Sequence, residues 1–340
     1  MTERTEYLRT FVATTEWKDA TWAPLAGDAS RRSYTRLIDP NTNRSAMLMD
    51  APPEFGEDVR PFLKVGAYLA DLGLSAPETY AADEERGFLI IEDLGNALFD
   101  QVCLADPTSE WPLYKAAVEV LAHITQAAPL SGVADYADQM TDLALSSYRW
   151  YVGGITDAPT EEAAAACRAE IDPLIASLGA GQNTILRDFH AQNLIWLPER
   201  DGLKRVGLLD YQDAMLGHAP YDLVSLVKDA RRDVTSDVRE KAMAHFAVVS
   251  GLNRADLDRE AAICSAQRNM RILMIFARMS LHFKKPHYVD LIPRVWAHLM
   301  SDLAHPDLAG LRAIVRETIP EPTPEILQVL RDKCGTVPTL

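Results

Sequence analysis

From residue 111 onward the sequence runs in the 3.6-residue hydrophobic period of helices, and two short β-prone segments interrupt it: 182-QNTILRDFHAQNLIWL-197 and 205-RVGLLDYQDA-214. That interruption argues against a plain helical bundle and points to an α+β fold. The first third supplies the rest of the β character. Residues 3–17 read as an amphipathic helix with Tyr7, Leu8, Phe11 and Val12 on one face. The stretch 24–44 alternates β-prone pieces with Gly27, Asp28, Pro40 and Asn43, which predicts a hairpin. Ala46–Met49 is the next expected strand, ended by Pro52 and Pro53. Residues 57–72 have helical period up to Gly73, and 86-RGFLIIEDLG-95 reads as a buried strand ending in a turn. Helices are expected at 111–128, 135–152, 161–178, 237–250, 256–283, 289–303 and 307–316. The chain thus divides into a β-rich piece, 1–94, and a mostly helical piece, 95–340.

Charge narrows the class of partner. The formal net charge is −15, and a field of that sign repels nucleic-acid backbones and anionic lipid. No nucleic-acid, membrane or obligate protein partner is expected, and any nucleotide site needs local arginine or metal. Cys103, Cys167, Cys264 and Cys334 are scattered and form no CxxC pair, which fits buried thiols in a reducing cytoplasm. The opening MTERTEYLRT is too polar for a secretory signal, and no apolar run approaches the roughly 18 residues of a membrane span.

The chemistry concentrates in the interrupting segments. In 188-DFHAQN-193, Asp188 and Asn193 stand five positions apart with His190 between them, and Asp210 follows the apolar Leu208–Leu209 17 positions later. Each residue alone is an ordinary turn former. Together they supply what phosphoryl transfer asks of a protein: a carboxylate to orient an acceptor hydroxyl, and oxygen donors for Mg²⁺ on the nucleotide phosphates. Asp188 and His190 are the candidate catalytic residues, and Asn193 and Asp210 the candidate metal ligands.

The stretch 186-LRDFHAQNLIWL-197 resembles the HGDxHxxN motif of the aminoglycoside and choline kinase superfamily, and 208-LLDYQDAMLGHAPYDLVSL-226 resembles its metal motif. Within it, LRDFHAQNL, LLDYQDA and YDLVSLVKDARRD are most similar to the cell-wall-recycling anomeric N-acetylmuramate/N-acetylglucosamine kinases. The similarity extends to GDASRRSYTRL, LMDAPP and 267-QRNMRILMIFARM-279, about residues 24–300. This resemblance implies a protein-kinase-like two-lobed fold, with a small antiparallel sheet in the first lobe and a helical second lobe. It implies ATP and Mg²⁺ as cofactors and the sugar 1-phosphate as product. It also implies a structural tie from Asp222 to the catalytic loop, and adenine held by hinge backbone at Glu92, Asp93 and Leu94.

Two departures stand out. Leu186 and Arg187 occupy the places of the family's His and Gly. The run 46-AMLMD-50 has Met47 or Met49 where kinase-like folds carry a phosphate-pairing lysine. The loop 27-GDASRRSYTR-36 offers a substitute in Gly27, Ser30, Arg31, Arg32 and Arg36, since small residues let backbone amides approach phosphate and arginine grips it. For the acceptor, Arg149, Arg187, Arg231, Arg232, Arg268 and Arg271 suit a sugar carrying a carboxylate, with Tyr151 and Asp213 as further contacts. Alternatives are a kinase for another small acceptor, such as an aminoglycoside, and a nucleotide-binding pseudokinase.

Overall fold

The computed structural model describes residues 3–25, 31–156 and 158–338. In chain order these form α1 (Glu3–Ala13), β1 (Thr21–Pro24), β2 (Ser33–Ile38), β3 (Ser45–Asp50), α2 (Arg60–Asp71), β4 (Thr79–Asp83), β5 (Phe88–Glu92) and α3 (Phe99–Ala105). Then come α4 (Glu110–Gln126), α5 (Ala137–Ser147), α6 (Gly153–Thr156), α7 (Glu161–Ala176), β6 (Asn183–Ile185), β7 (Leu194–Trp196), β8 (Val206–Leu208) and β9 (Met215–Gly217). The remainder is helical: α8 (Pro220–Val227), α9 (Ser236–Ser250), α10 (Arg254–Leu281), α11 (Ile292–Asp302), α12 (Ala309–Thr318) and α13 (Pro324–Asp332).

Two compact units emerge. One is 1–109 together with 192–214, and the other is 110–191 together with 215–340. The first unit therefore takes in a later segment that the contiguous 1–94 piece omits.

In the first unit, β1–β2–β3–β5–β4 make one antiparallel sheet. Alternation sets its faces: Leu37, Ala46, Leu48 and Ile90 point one way and bury against Val12 of α1 and Trp17. Arg4 of α1 bonds Asp50 at 2.5 Å, tying the helix down at the end of β3. The β7–β8 hairpin joins this unit through backbone. Leu208 N–H donates to the Ser75 carbonyl at 2.9 Å and Trp196 N–H to that of Ala97 at 2.8 Å. Leu94, Ile195 and Leu197 close a small apolar cluster beneath it.

In the second unit the short β6–β9 pair lies among helices. The 28-residue α10 is buried along most of its length and packs against α5, α8 and α11. Asn253 caps its start by accepting from the amides of Ala255 and Asp256. A polar layer crosses this core: Asp302 accepts from Ser265 at 2.7 Å and Asn269 at 2.9 Å and pairs with Lys228. Among the described residues no helix is long and apolar enough to cross a membrane.

Candidate active site

The second unit carries the loop that follows β6. Asp188 N–H donates to the Leu186 carbonyl at 2.9 Å, and His190 N–H to that of Asp188 at 3.2 Å, so the loop is tightly wound. Arg187 sits in the left-handed region, with φ 71°, a conformation that costs a side-chain-bearing residue about 1–2 kcal/mol. This explains why glycine is usual there in the family. The strained turn is held from α8: Asp222 accepts from the Leu186 amide at 2.5 Å and the Arg187 amide at 2.8 Å. Asp222 is 2% exposed. Burial pushes its carboxyl up to about 7, although the two amides and Arg268 favour the charged form. The tie expected of Asp222 is thus present.

Around that loop lie arginines and tyrosines. His190 is buried, and its Nε2 is 3.3 Å from Arg231 Nη1. Burial lowers its pKa, with Arg231 and Arg268 acting the same way against Asp229 and Asp188, so the neutral ring accepts from Arg231. Arg231 is set by its own amide donating to Asp229 at 2.8 Å. Arg187 lies over the Tyr136 ring at 5.4 Å; Tyr136 meets Tyr221 edge-on, and Arg271 donates to the Tyr221 hydroxyl at 3.3 Å. Arg268 is 6% exposed and donates to Ser225 at 2.8 Å. Among the described residues neither Arg268 nor Arg271 has a carboxylate within ion-pair distance.

The first unit carries the other polar group. Asp210, at φ 56°, follows β8, and Asn193 precedes β7. The Leu209 amide donates to the Asn193 carbonyl at 2.9 Å, and Asn193 Nδ2 is 3.4 Å from Asp210 Oδ2. Gln212 donates to Asp210 Oδ1 at 2.7 Å. The next residue, Tyr211, is fully buried and stacks on Phe62 of α2 at 4.8 Å. A Cβ on Gly66 would stand 2.9 Å from the Tyr211 hydroxyl, so only glycine lets α2 come this close. Leu94 N–H and carbonyl have no backbone partner among the described residues, while Glu92 spends its side chain on Arg200 at 2.5 Å.

These donors fit a metal that arrives with its nucleotide. No group of three or more His, Cys, Asp or Glu residues able to hold an ion occurs among the described residues. A carboxylate beside an amide, whose oxygen and nitrogen interchange on rotation, gives two oxygens, and Mg²⁺ commonly takes one or two protein oxygens and completes its shell with phosphate and water.

Other expectations are placed differently. Gly27 and Ser30 lie outside the described residues. Arg31 is exposed and covers the Phe55 ring at 5.0 Å. Arg36 grips Asp93 at 2.6 Å and Asn96 at 2.8 Å, so it ties the turn that follows β5. Arg232 pairs with Glu110 at 2.6 Å beside Tyr114. Asp213 is exposed on the first unit. Tyr151 is not a sugar platform: it sits with Tyr148 in a π-helical turn, fully buried, donating to the Pro320 carbonyl at 3.0 Å. Arg149 is exposed and covers Trp150 at 5.5 Å, apart from the tyrosine–arginine layer around Asp188. Sequence reading missed Glu57, Tyr136 and Ser225, whose partners are distant in the chain, and also Tyr34 and Asp229, whose local partners Arg32 and Arg231 carry no motif; the only signal was the acidic Glu57 just ahead of a helix.

Comparison with known proteins agrees with this geometry. Residues 21–262 match the phosphotransferase enzyme family. The N-acetylmuramate/N-acetylglucosamine kinase of Caulobacter vibrioides is 35% identical, over 94% of this chain and 98% of its own. The kinase of the same name from Pseudomonas aeruginosa is 30% identical, over 85% and 86%. Among solved structures, an ADP-bound aminoglycoside phosphotransferase aligns with TM-score 0.60 at 12% identity, covering 91% of this chain and 98% of that one. A Plasmodium vivax ethanolamine kinase aligns with TM-score 0.60 at 11%, covering 91% of each. The fold is therefore kinase-like, an antiparallel sheet in the first unit and helices in the second, and the chain belongs to the phosphotransferase enzyme family as an ATP-dependent phosphotransferase.

Proposed function

We propose that this enzyme transfers the γ-phosphoryl group of ATP to the anomeric hydroxyl of N-acetylmuramate, N-acetylglucosamine or both, giving the sugar 1-phosphate in cell-wall recycling. The name shared by the curated relatives carries the choice of acceptor. Arg268 and Arg271 support it, because guanidiniums that make no close ion pair among the described residues suit the anionic lactyl group of N-acetylmuramate.

Asp188 orients the sugar hydroxyl and accepts its proton as the sugar oxygen bonds to the γ-phosphorus and the bond from that phosphorus to the bridging oxygen breaks, releasing ADP. Neutral, enclosed His190 holds Arg231 in place and leaves proton transfer to Asp188. Asn193 and Asp210 would hold Mg²⁺, which would supply positive charge to the nucleotide phosphates. The Leu94 backbone receives adenine, with Glu92 anchored beside it. An arginine of the loop 27–36 serves the phosphates, and Arg187 and Arg271 the sugar.

The test is ATP consumption with each N-acetyl sugar and with kanamycin, following loss of the reducing end. Reducing-end loss with the N-acetyl sugars, reduced about 10²–10⁴-fold in Asp188→Ala, is expected. Turnover of kanamycin alone would overturn the assignment.

A further inference from the structure

The missing third-strand lysine leaves open which cation meets the nucleotide phosphates. Cross-strand register shows where such a cation has to stand. Tyr34 lies opposite Met49 and Arg36 opposite Met47, so these four side chains share one face of the sheet. Leu37, Ala46 and Leu48 occupy the other face, buried in the core. Period-two alternation carries the first row back from Arg36 and Tyr34 to Arg32, the residue just before β2.

Of the three loop arginines, two are committed elsewhere. Arg36 is taken by Asp93 and Asn96, and Arg31 is exposed over Phe55. Arg32 differs. Its guanidinium Nε bonds Glu57 Oε2 at 2.7 Å, and the two side chains are only 12% and 19% exposed. The Asp210 carboxylate lies within electrostatic reach of Arg32, as does Tyr34. Glu57 stands just ahead of α2, the helix interlocked with Tyr211 next to Asp210.

In protein kinases a third-strand lysine, held by a helix-borne glutamate, must be in place beside the metal-binding aspartate. Here the first unit presents a comparable set of arginine, glutamate and Asp210, with the cation one strand over and the glutamate in the loop ahead of the helix. We infer that Arg32, held by Glu57, is the phosphate-binding cation of this enzyme and replaces the third-strand lysine. A planar guanidinium can bond a carboxylate and a phosphate oxygen along different edges, which a lysine ammonium does not do. Met47 and Met49 then need no charge.

This inference rests on the nucleotide reading above, and a binding experiment separates the two. Affinities for MgADP and AMP are measured by calorimetry on the full chain, for wild type, Arg32→Met, Glu57→Gln and the double variant Arg32→Met/Met47→Lys. Loss of a charge-assisted contact predicts that Arg32→Met weakens MgADP about 10–100-fold. AMP, which lacks the β-phosphate, changes less than about twofold on the same argument. Glu57→Gln, which loosens the arginine without removing it, gives an intermediate loss for MgADP. Restoring lysine at position 47 recovers part of the affinity. Equal weakening of AMP and MgADP would make Arg32 a structural support only, and unchanged MgADP binding in Arg32→Met would overturn the inference. Absence of MgADP binding in the wild type would overturn the nucleotide reading itself. Should Arg32→Met prove unfolded by circular dichroism, Glu57→Gln carries the test alone, and equal MgADP affinity in it and the wild type overturns the inference.

Discussion

Replacing Asp222 with asparagine tests whether the loop bearing Asp188 is held under strain. Asp222 offers one oxygen to the Leu186 amide at 2.5 Å and the other to the Arg187 amide at 2.8 Å. Asparagine keeps one acceptor and turns an NH₂ toward the second amide. A buried donor left unpaired costs about 1–3 kcal/mol. Arg187, freed from one tie, can also leave φ 71° and recover about 1–2 kcal/mol of left-handed strain by moving the loop. Stability should therefore fall by about 2 kcal/mol in denaturant titration. Displacing Asp188 should lower kcat about 10–100-fold, equivalent to about 1.4–2.8 kcal/mol. A double-mutant cycle isolates the cause. Glycine adopts the left-handed conformation without strain, so in an Arg187→Gly background the kcat penalty of Asp222→Asn should shrink by about fivefold, a coupling near 1 kcal/mol. Additive effects on kcat, or an Asp222→Asn enzyme with wild-type kcat, would refute the strained-loop argument.

Three further outcomes are expected. Gly66→Ala pushes a methyl to 2.9 Å from the buried Tyr211 hydroxyl and should cost about 1–3 kcal/mol in thermal unfolding, with weaker MgADP binding because Asp210 is the adjacent residue. Lys228→Met leaves the Asp302 carboxylate buried with only Ser265 and Asn269, and should cost about 3 kcal/mol at pH 8 by denaturant titration. Burial already raises the Asp302 pKa, so that loss should shrink as pH falls and protonation of the orphan becomes easier. His298 is buried, and burial together with Lys228, Arg239 and Arg294 lowers its pKa to about 4. The unfolded chain takes up that proton below the ordinary histidine pKa of 6.5 while the fold resists it, so stability is lost as pH falls from 6.5 toward 4. Relative to His298→Gln, the wild type should lose on the order of 2 kcal/mol across that window in urea titrations.

The reactive residues were legible because their chemistry is local. Asp188, Asn193 and Asp210 announce themselves by spacing within 23 residues, and the strands β3 and β5 by short apolar runs. What the sequence hid was partnership across distance. The aromatic run at 148–151 reads as a sugar platform until Tyr148 is seen bonded to Thr318, 170 positions away, and Tyr151 to Pro320. Arg32, Arg31 and Arg36 look alike in a loop; only Glu57, Phe55 and Asp93 tell them apart. β4 was not anticipated, since Thr79–Asp83 has little β-branched or alternating character and depends on β5 for its pairing. Arg187 in place of glycine gave no hint that the turn persists, because the compensating tie comes from Asp222, 35 residues on.

The discontinuous makeup of the first unit has a bearing on biosynthesis. Its sheet can pair once residue 92 has emerged, but the Ser75 carbonyl waits for the Leu208 amide and the Ala97 carbonyl for that of Trp196. More than a hundred residues must leave the ribosome before those edges are satisfied, and in that interval β-pairing groups of a nascent chain stand open to chaperones or to a neighbouring nascent chain. A fragment ending at residue 109 would be frozen at that stage, with its last backbone partners never made.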